Sequence, residues 1–111
     1  MNSWYKALPI IALMALLSSC GKQPPLKTSF RQSSLDNSGL VLQVRNTGSH
    51  HLSCHLTARN KTLKQHVNYS FDLAPYSKTE IGLLETGWTF KTGESCEIRT
   101  EGFSTISFKV P

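Results

Sequence analysis

Leu40-Val41-Leu42-Gln43-Val44-Arg45, followed beyond Asn46-Thr47-Gly48-Ser49 by Leu52-Ser53-Cys54-His55-Leu56-Thr57-Ala58-Arg59, is the stretch whose reading decides the fold. In the first segment Leu40, Leu42 and Val44 alternate with Val41, Gln43 and Arg45. In the second, Leu52, Cys54, Leu56 and Ala58 alternate with Ser53, His55, Thr57 and Arg59. Successive side chains of a strand point to opposite faces, so this period of two predicts antiparallel strands with one dry and one wet face. Asn46-Thr47-Gly48-Ser49 supplies turn chemistry between them, and Cys54 is placed inward.

The same period continues on both sides. Downstream, Val67, Tyr69, Phe71 and Leu73 alternate with His66, Asn68, Ser70 and Asp72; Ile81 and Leu83 are expected to face in, with Glu80 and Gly82 out. Cys96, Ile98 and Thr100 share a face in the next segment, as do Ile106, Phe108 and Val110 in the last. Pro75 follows the fourth run and cannot extend a central ladder. Upstream, Leu26 to Gln32 is a weaker first strand, separated by Asp36-Asn37-Ser38-Gly39. About seven short strands with turns every 8–12 residues predict an all-β domain, a small immunoglobulin-like β-sandwich, with a small closed β-barrel as the alternative. No segment after residue 20 reads as a helix.

The N-terminus has another character. One basic residue, Lys6, precedes an apolar or small run from Ala7 to Leu17 that closes on Leu17-Ser18-Ser19-Cys20. That is the layout of an export signal. The run would cover about 16 Å as a helix, half of a hydrocarbon core of roughly 30 Å, and Pro9 interrupts it. Leu17-Ser18-Ser19-Cys20 resembles the lipobox of bacterial lipoproteins. The resemblance is confined to the first twenty residues, and it implies a diacylglyceryl group on the Cys20 sulfur, cleavage before Cys20 and acylation of the new amine. Two acyl chains already give stable anchoring. Residues 1–19 are then the signal peptide, 20–25 the lipidated cysteine and a tether through Pro24-Pro25, and 26–111 a single β-domain. By the same resemblance, Gly21 rather than aspartate after the cysteine implies the outer membrane, with the domain facing the periplasm.

With Cys20 given to lipid, Cys54 and Cys96 remain as a pair in an oxidising compartment and are expected to form a disulfide. Closing a loop of about 43 residues would stabilise the fold by ~4 kcal/mol through loop-closure entropy. The formal charge of +5 becomes +4 when Lys6 leaves with the signal, and it is spread along the chain. The membrane is a partner through the lipid, anionic head groups or an acidic protein suit the charge, and nucleic acid does not suit the compartment.

Chemical constellations are sparse. If Lys61-Thr62 form the loop of a hairpin, His55 and His66 become diagonal neighbours, weak candidates for one metal ion with no third inward ligand. No serine lies in a G-x-S-x-G turn or is paired by pattern with a histidine and an acid, and no cofactor motif is present. Gly87-Trp88-Thr89-Phe90 places Trp88 and Phe90 on one face, where they either fill the end of the domain or form an aromatic anchor for a partner. The expectation is a non-enzymatic, lipid-anchored envelope lipoprotein acting in protein interaction or envelope assembly. The alternatives are inhibition of a lysozyme-like hydrolase and capture of a metal or small ligand.

Overall fold

The computed structural model describes residues 21–34 and 39–111. The signal segment, Cys20 and the turn residues Asp36, Asn37 and Ser38 lie outside the described residues. Seven strands follow in order: β1 Leu26–Gln32, β2 Leu40–Asn46, β3 Leu52–Asn60, β4 Gln65–Leu73, β5 Lys78–Ile81, β6 Ser95–Thr100 and β7 Ile106–Lys109. They form two antiparallel sheets, one of order β1-β2-β5 and one of order β4-β3-β6-β7. No strand pairing joins the sheets among the described residues, so the architecture is the sandwich and not the closed barrel. No helix among the described residues is long and apolar enough to cross a membrane.

The alternation read from the sequence sets which faces meet. Leu42, Val44 and Ile81 from the three-stranded sheet pack on Leu56, Ala58 and Ile98 from the four-stranded sheet, and all six are fully buried. Burying a side chain of Val, Leu or Ile size contributes roughly 1.5–3 kcal/mol, so these facing rows carry the fold. Phe30 of β1 meets Phe108 of β7 with ring centroids 6.1 Å apart, which sets β1 against the β7 side of the opposite sheet.

Two expectations are corrected. The fifth strand ends at Ile81, and Leu83–Thr86 forms one helical turn, α1, that leaves Leu83 exposed and Gly82 buried, the reverse of the expected facing. Glu85 reaches back to accept the Gly82 N–H at 2.7 Å, and Gly87 at φ 71° ends the turn in a conformation that glycine adopts freely. The chain then rejoins β2 where Leu40 N–H donates to the Phe90 carbonyl at 3.3 Å.

The second correction is the disulfide. β6 lies beside β3 with Thr100 opposite Cys54 and Cys96 opposite Ala58. A four-residue offset is about 13 Å along the strands, and a disulfide tolerates no more than ~7 Å between Cα atoms. Cys54 and Cys96 are therefore separate buried free thiols within one sheet. Burial pushes the Cys96 thiol up to about 12 and raises that of Cys54 as well, the latter offset in part by a contact of 3.7 Å with Thr100 Oγ1.

Candidate interaction surfaces

The chain from Lys22 onward belongs to the body of the domain. Ser104 N–H donates to the Lys22 carbonyl at 2.8 Å, Pro24 is buried, and Thr47 N–H donates to the Pro25 carbonyl at 2.9 Å. The segment read as a free tether is docked on the sandwich. Pro25 packs over the turn that follows β2, so closely that a Cβ added at Gly48 would come within 3.1 Å of the proline ring. Gly21 alone separates this docked segment from Cys20.

Beside that entry point lies the outer face of the three-stranded sheet. Strand register places Lys27 opposite Arg45, and Arg45 opposite Lys78, one cation on each of three adjacent strands. All three are exposed. The next row, Ser29, Gln43 and Glu80, is tied together: Ser29 Oγ donates to Gln43 Oε1 at 3.0 Å, and Gln43 Nε2 to Glu80 Oε2 at 2.8 Å. Arg31 closes a two-point pair with Glu80, Nε to Oε2 at 2.6 Å and Nη2 to Oε1 at 2.9 Å. The hydrogen bonds from Arg31 and then Gln43 hold the Glu80 carboxyl at about 2, well below its usual value near 4.5. Among the described residues, the strand carboxylate of this face is thus hydrogen-bonded to Arg31 and Gln43, and it reaches the row Lys27-Arg45-Lys78 through the Coulombic attraction of Lys78.

The outer face of the four-stranded sheet is polar but balanced, with Arg59, Arg99 and Lys109 set against Asp72, Glu97 and Glu101. His55, Ser70, Arg99, Asp72 and Glu101 line a shallow depression there of about 480 Å³. The hairpin loop between β3 and β4 holds four residues, Lys61 to Lys64, with Lys64 at φ 53°. Two loop residues beyond the expected Lys61-Thr62 move the register by two, so His55 opposes Ser70 and His66 opposes Arg59. His55 and His66 are then separated by about 13 Å along the strands, too far for one ion. No group of three metal-ligating side chains occurs among the described residues.

Both nitrogens of the His55 ring are engaged, Nδ1 with Ser70 Oγ at 2.8 Å and Nε2 with Asn68 Oδ1 at 3.4 Å, and Thr57 Oγ1 donates to the same Asn68 oxygen at 2.9 Å. The Ser–His contact escaped the sequence reading because it depends on the register. Its second ring nitrogen meets an amide rather than a carboxylate, so the pair lacks the charge that would steady an imidazolium during acyl transfer. It acts as a strut across two strands.

Trp88 and Phe90, the candidate anchors, are used internally. Phe90 is fully buried, its ring edge-on to Phe30 at a centroid distance of 5.7 Å, and it offers nothing to a partner. Trp88 is half-buried, and its indole N–H donates to Glu94 Oε1 at 3.2 Å. The Glu94 carboxylate is buried: Oε1 also accepts the Lys91 N–H at 2.8 Å, and Oε2 accepts Asn60 Nδ2 at 2.7 Å. This hub fastens the loop from α1 to the end of β3. Comparison with family models, with characterised proteins and with solved structures finds no match to the chain.

Proposed function

We propose that this chain is a lipid-anchored module of the bacterial cell envelope that lies with the outer face of its three-stranded sheet on anionic head groups and offers the four-stranded sheet to other envelope proteins. The observation that carries the reading is the meeting of the docked N-terminal segment with the row Lys27-Arg45-Lys78. Like charges directly opposite on neighbouring strands destabilise a sheet. A surface of phosphate groups neutralises them, and each Lys or Arg near such a surface is worth about 1 kcal/mol. A lipid on Cys20, one glycine from the docked segment, would hold that row at the head groups. The balanced polar face then points away from the membrane, available for protein contacts.

Anchoring is tested by growth with labelled palmitate: label enters the wild-type chain and is absent from Cys20→Ala. Orientation is tested separately with a chain beginning at Gly21, which contains every strand of the sandwich. It is expected to co-sediment with phosphatidylglycerol-containing vesicles, to be released by salt, and to lose binding in Lys27→Glu/Arg45→Glu/Lys78→Glu. Equal binding to neutral vesicles, or full binding by the triple variant, would sink the orientation while leaving the anchor to the palmitate result.

A further inference from the structure

We infer that β4 is a self-complementary edge through which two copies of this chain join into one continuous eight-stranded sheet. Among the described residues β4 pairs with β3 along one side only, residue for residue from Leu52 opposite Leu73 to Asn60 opposite Gln65, with no bulge. Exposed strand edges are commonly blunted by shortness, proline, lysine or bulges. β5 and β7 span four residues each, and β1 carries Lys27 and Arg31. β4 has nine residues, Gln-His-Val-Asn-Tyr-Ser-Phe-Asp-Leu, with no proline, lysine or bulge, and the short turn α1 packs beside it.

The strand reads as its own partner. Antiparallel pairing about a two-fold axis at Tyr69 uses all nine residues and sets Tyr69 against Tyr69 of the second copy. On the inner face Val67 then meets Phe71. On the outer face Asn68 meets Ser70, and the His66 imidazole meets the Asp72 carboxylate. Every residue keeps its face, since the register joins odd positions to odd and even to even. By symmetry each contact occurs twice.

The exposed apolar side chains fall at the same seam. Among the described residues the large ones are Leu63 at 56%, Tyr76 at 63%, Leu83 at 40% and Leu84 at 78% exposure. Leu63 stands just before β4 and Tyr76 just after it, so the antiparallel pairing carries Leu63 of each copy to the end of the seam that holds Tyr76 of the other. Leu83 and Leu84 lie on α1, which packs beside β4 as well as β5. The two-fold axis is normal to the sheets, so both copies present Lys27-Arg45-Lys78 in the same direction, as two molecules on one membrane must. The pairing itself rests on strand geometry and needs no lipid.

The test is sedimentation of the chain beginning at Gly21. The wild-type chain is expected to be a dimer in concentrated solution. His66→Asp replaces two imidazole–carboxylate pairs by two carboxylate–carboxylate pairs and is expected to raise the dimer dissociation constant about tenfold, and the exchange His66→Asp/Asp72→His to restore it. Both positions are exposed, so folding is preserved. Tyr69→Cys is expected to form an inter-chain disulfide on mild oxidation, because opposed residues lie about 4.5–5.5 Å apart at Cα. A monomer at millimolar concentration, or a dimer indifferent to His66→Asp, overturns the pairing; failure of the Tyr69→Cys variant to crosslink in a dimer sensitive to His66→Asp overturns the register. None of these outcomes bears on palmitate incorporation.

Discussion

Asn46 shows how much one side chain decides. It is fully buried, its Nδ2 donating to the carbonyls of His50 at 2.7 Å, Ala74 at 3.2 Å and Leu73 at 3.4 Å, while Oδ1 accepts the Gly48 N–H at 2.9 Å. These bonds join the end of β2 in one sheet to the end of β4 in the other. Asn46→Ala is expected to cost about 2 kcal/mol, since the carbonyls lose their donor. Asn46→Asp should cost more at neutral pH, because a carboxylate would face the same carbonyl oxygens. Its folded-state pKa is then raised, so the ionised form carries the penalty, and stability recovers as pH falls through that value. Urea unfolding of both variants at neutral pH and near pH 4 checks the crossover. In the sequence Asn46-Thr47-Gly48 is simply turn chemistry; burial between sheets is invisible until the second sheet arrives.

At the scale of elements, the row Ser29-Gln43-Glu80 and its Arg31 partner bind β1, β2 and β5 across their wet face. Glu80 is depressed to about 2 when folded, from a usual value near 4.5. A depressed carboxyl stabilises the fold above its unfolded pKa, and that contribution is lost as pH falls from about 4.5 toward 2. Glu80→Gln is therefore expected to flatten the acid limb of the stability curve in this window and to change little when both forms are compared below it. Thermal melts from pH 7 down to pH 2 read the difference, and parallel curves would remove the assignment. The alternation of β2 and β5 announced which of these residues share a face, but not that Arg31 would reach its acid from the far edge strand.

For the whole molecule, the sandwich is held by packing without a covalent bridge. Both thiols of the chain from Gly21 are expected to count as free after non-reducing unfolding, and reductant should leave the melting temperature unchanged. Alkylation in native buffer should proceed only as fast as the domain opens, since both thiols are buried and burial holds their pKa up. A fall in melting temperature on reduction would mean that β3 and β6 pair in another register. Cys54 and Cys96 were each legible as inward-facing, because facing follows from local alternation. Their distance was not, because it belongs to the pairing of strands 42 positions apart in sequence.

The sequence alone determined the all-β class, six of the seven strand faces in outline, and the lipoprotein-like N-terminus as an expectation, because hydrophobic period and turn chemistry are local properties of the chain; that the sheets stay open as a sandwich was decided by their pairing. Only the tertiary structure decided that the two thiols stay apart, that His55 binds Ser70 rather than approaching His66, that Phe90 is core, and that Lys27, Arg45 and Lys78 form one row beside the docked N-terminal segment. Each of these depends on register, which is set by loop lengths and by the packing of one sheet on the other. A loop longer by two residues leaves every strand's alternation unchanged and moves every cross-strand neighbour.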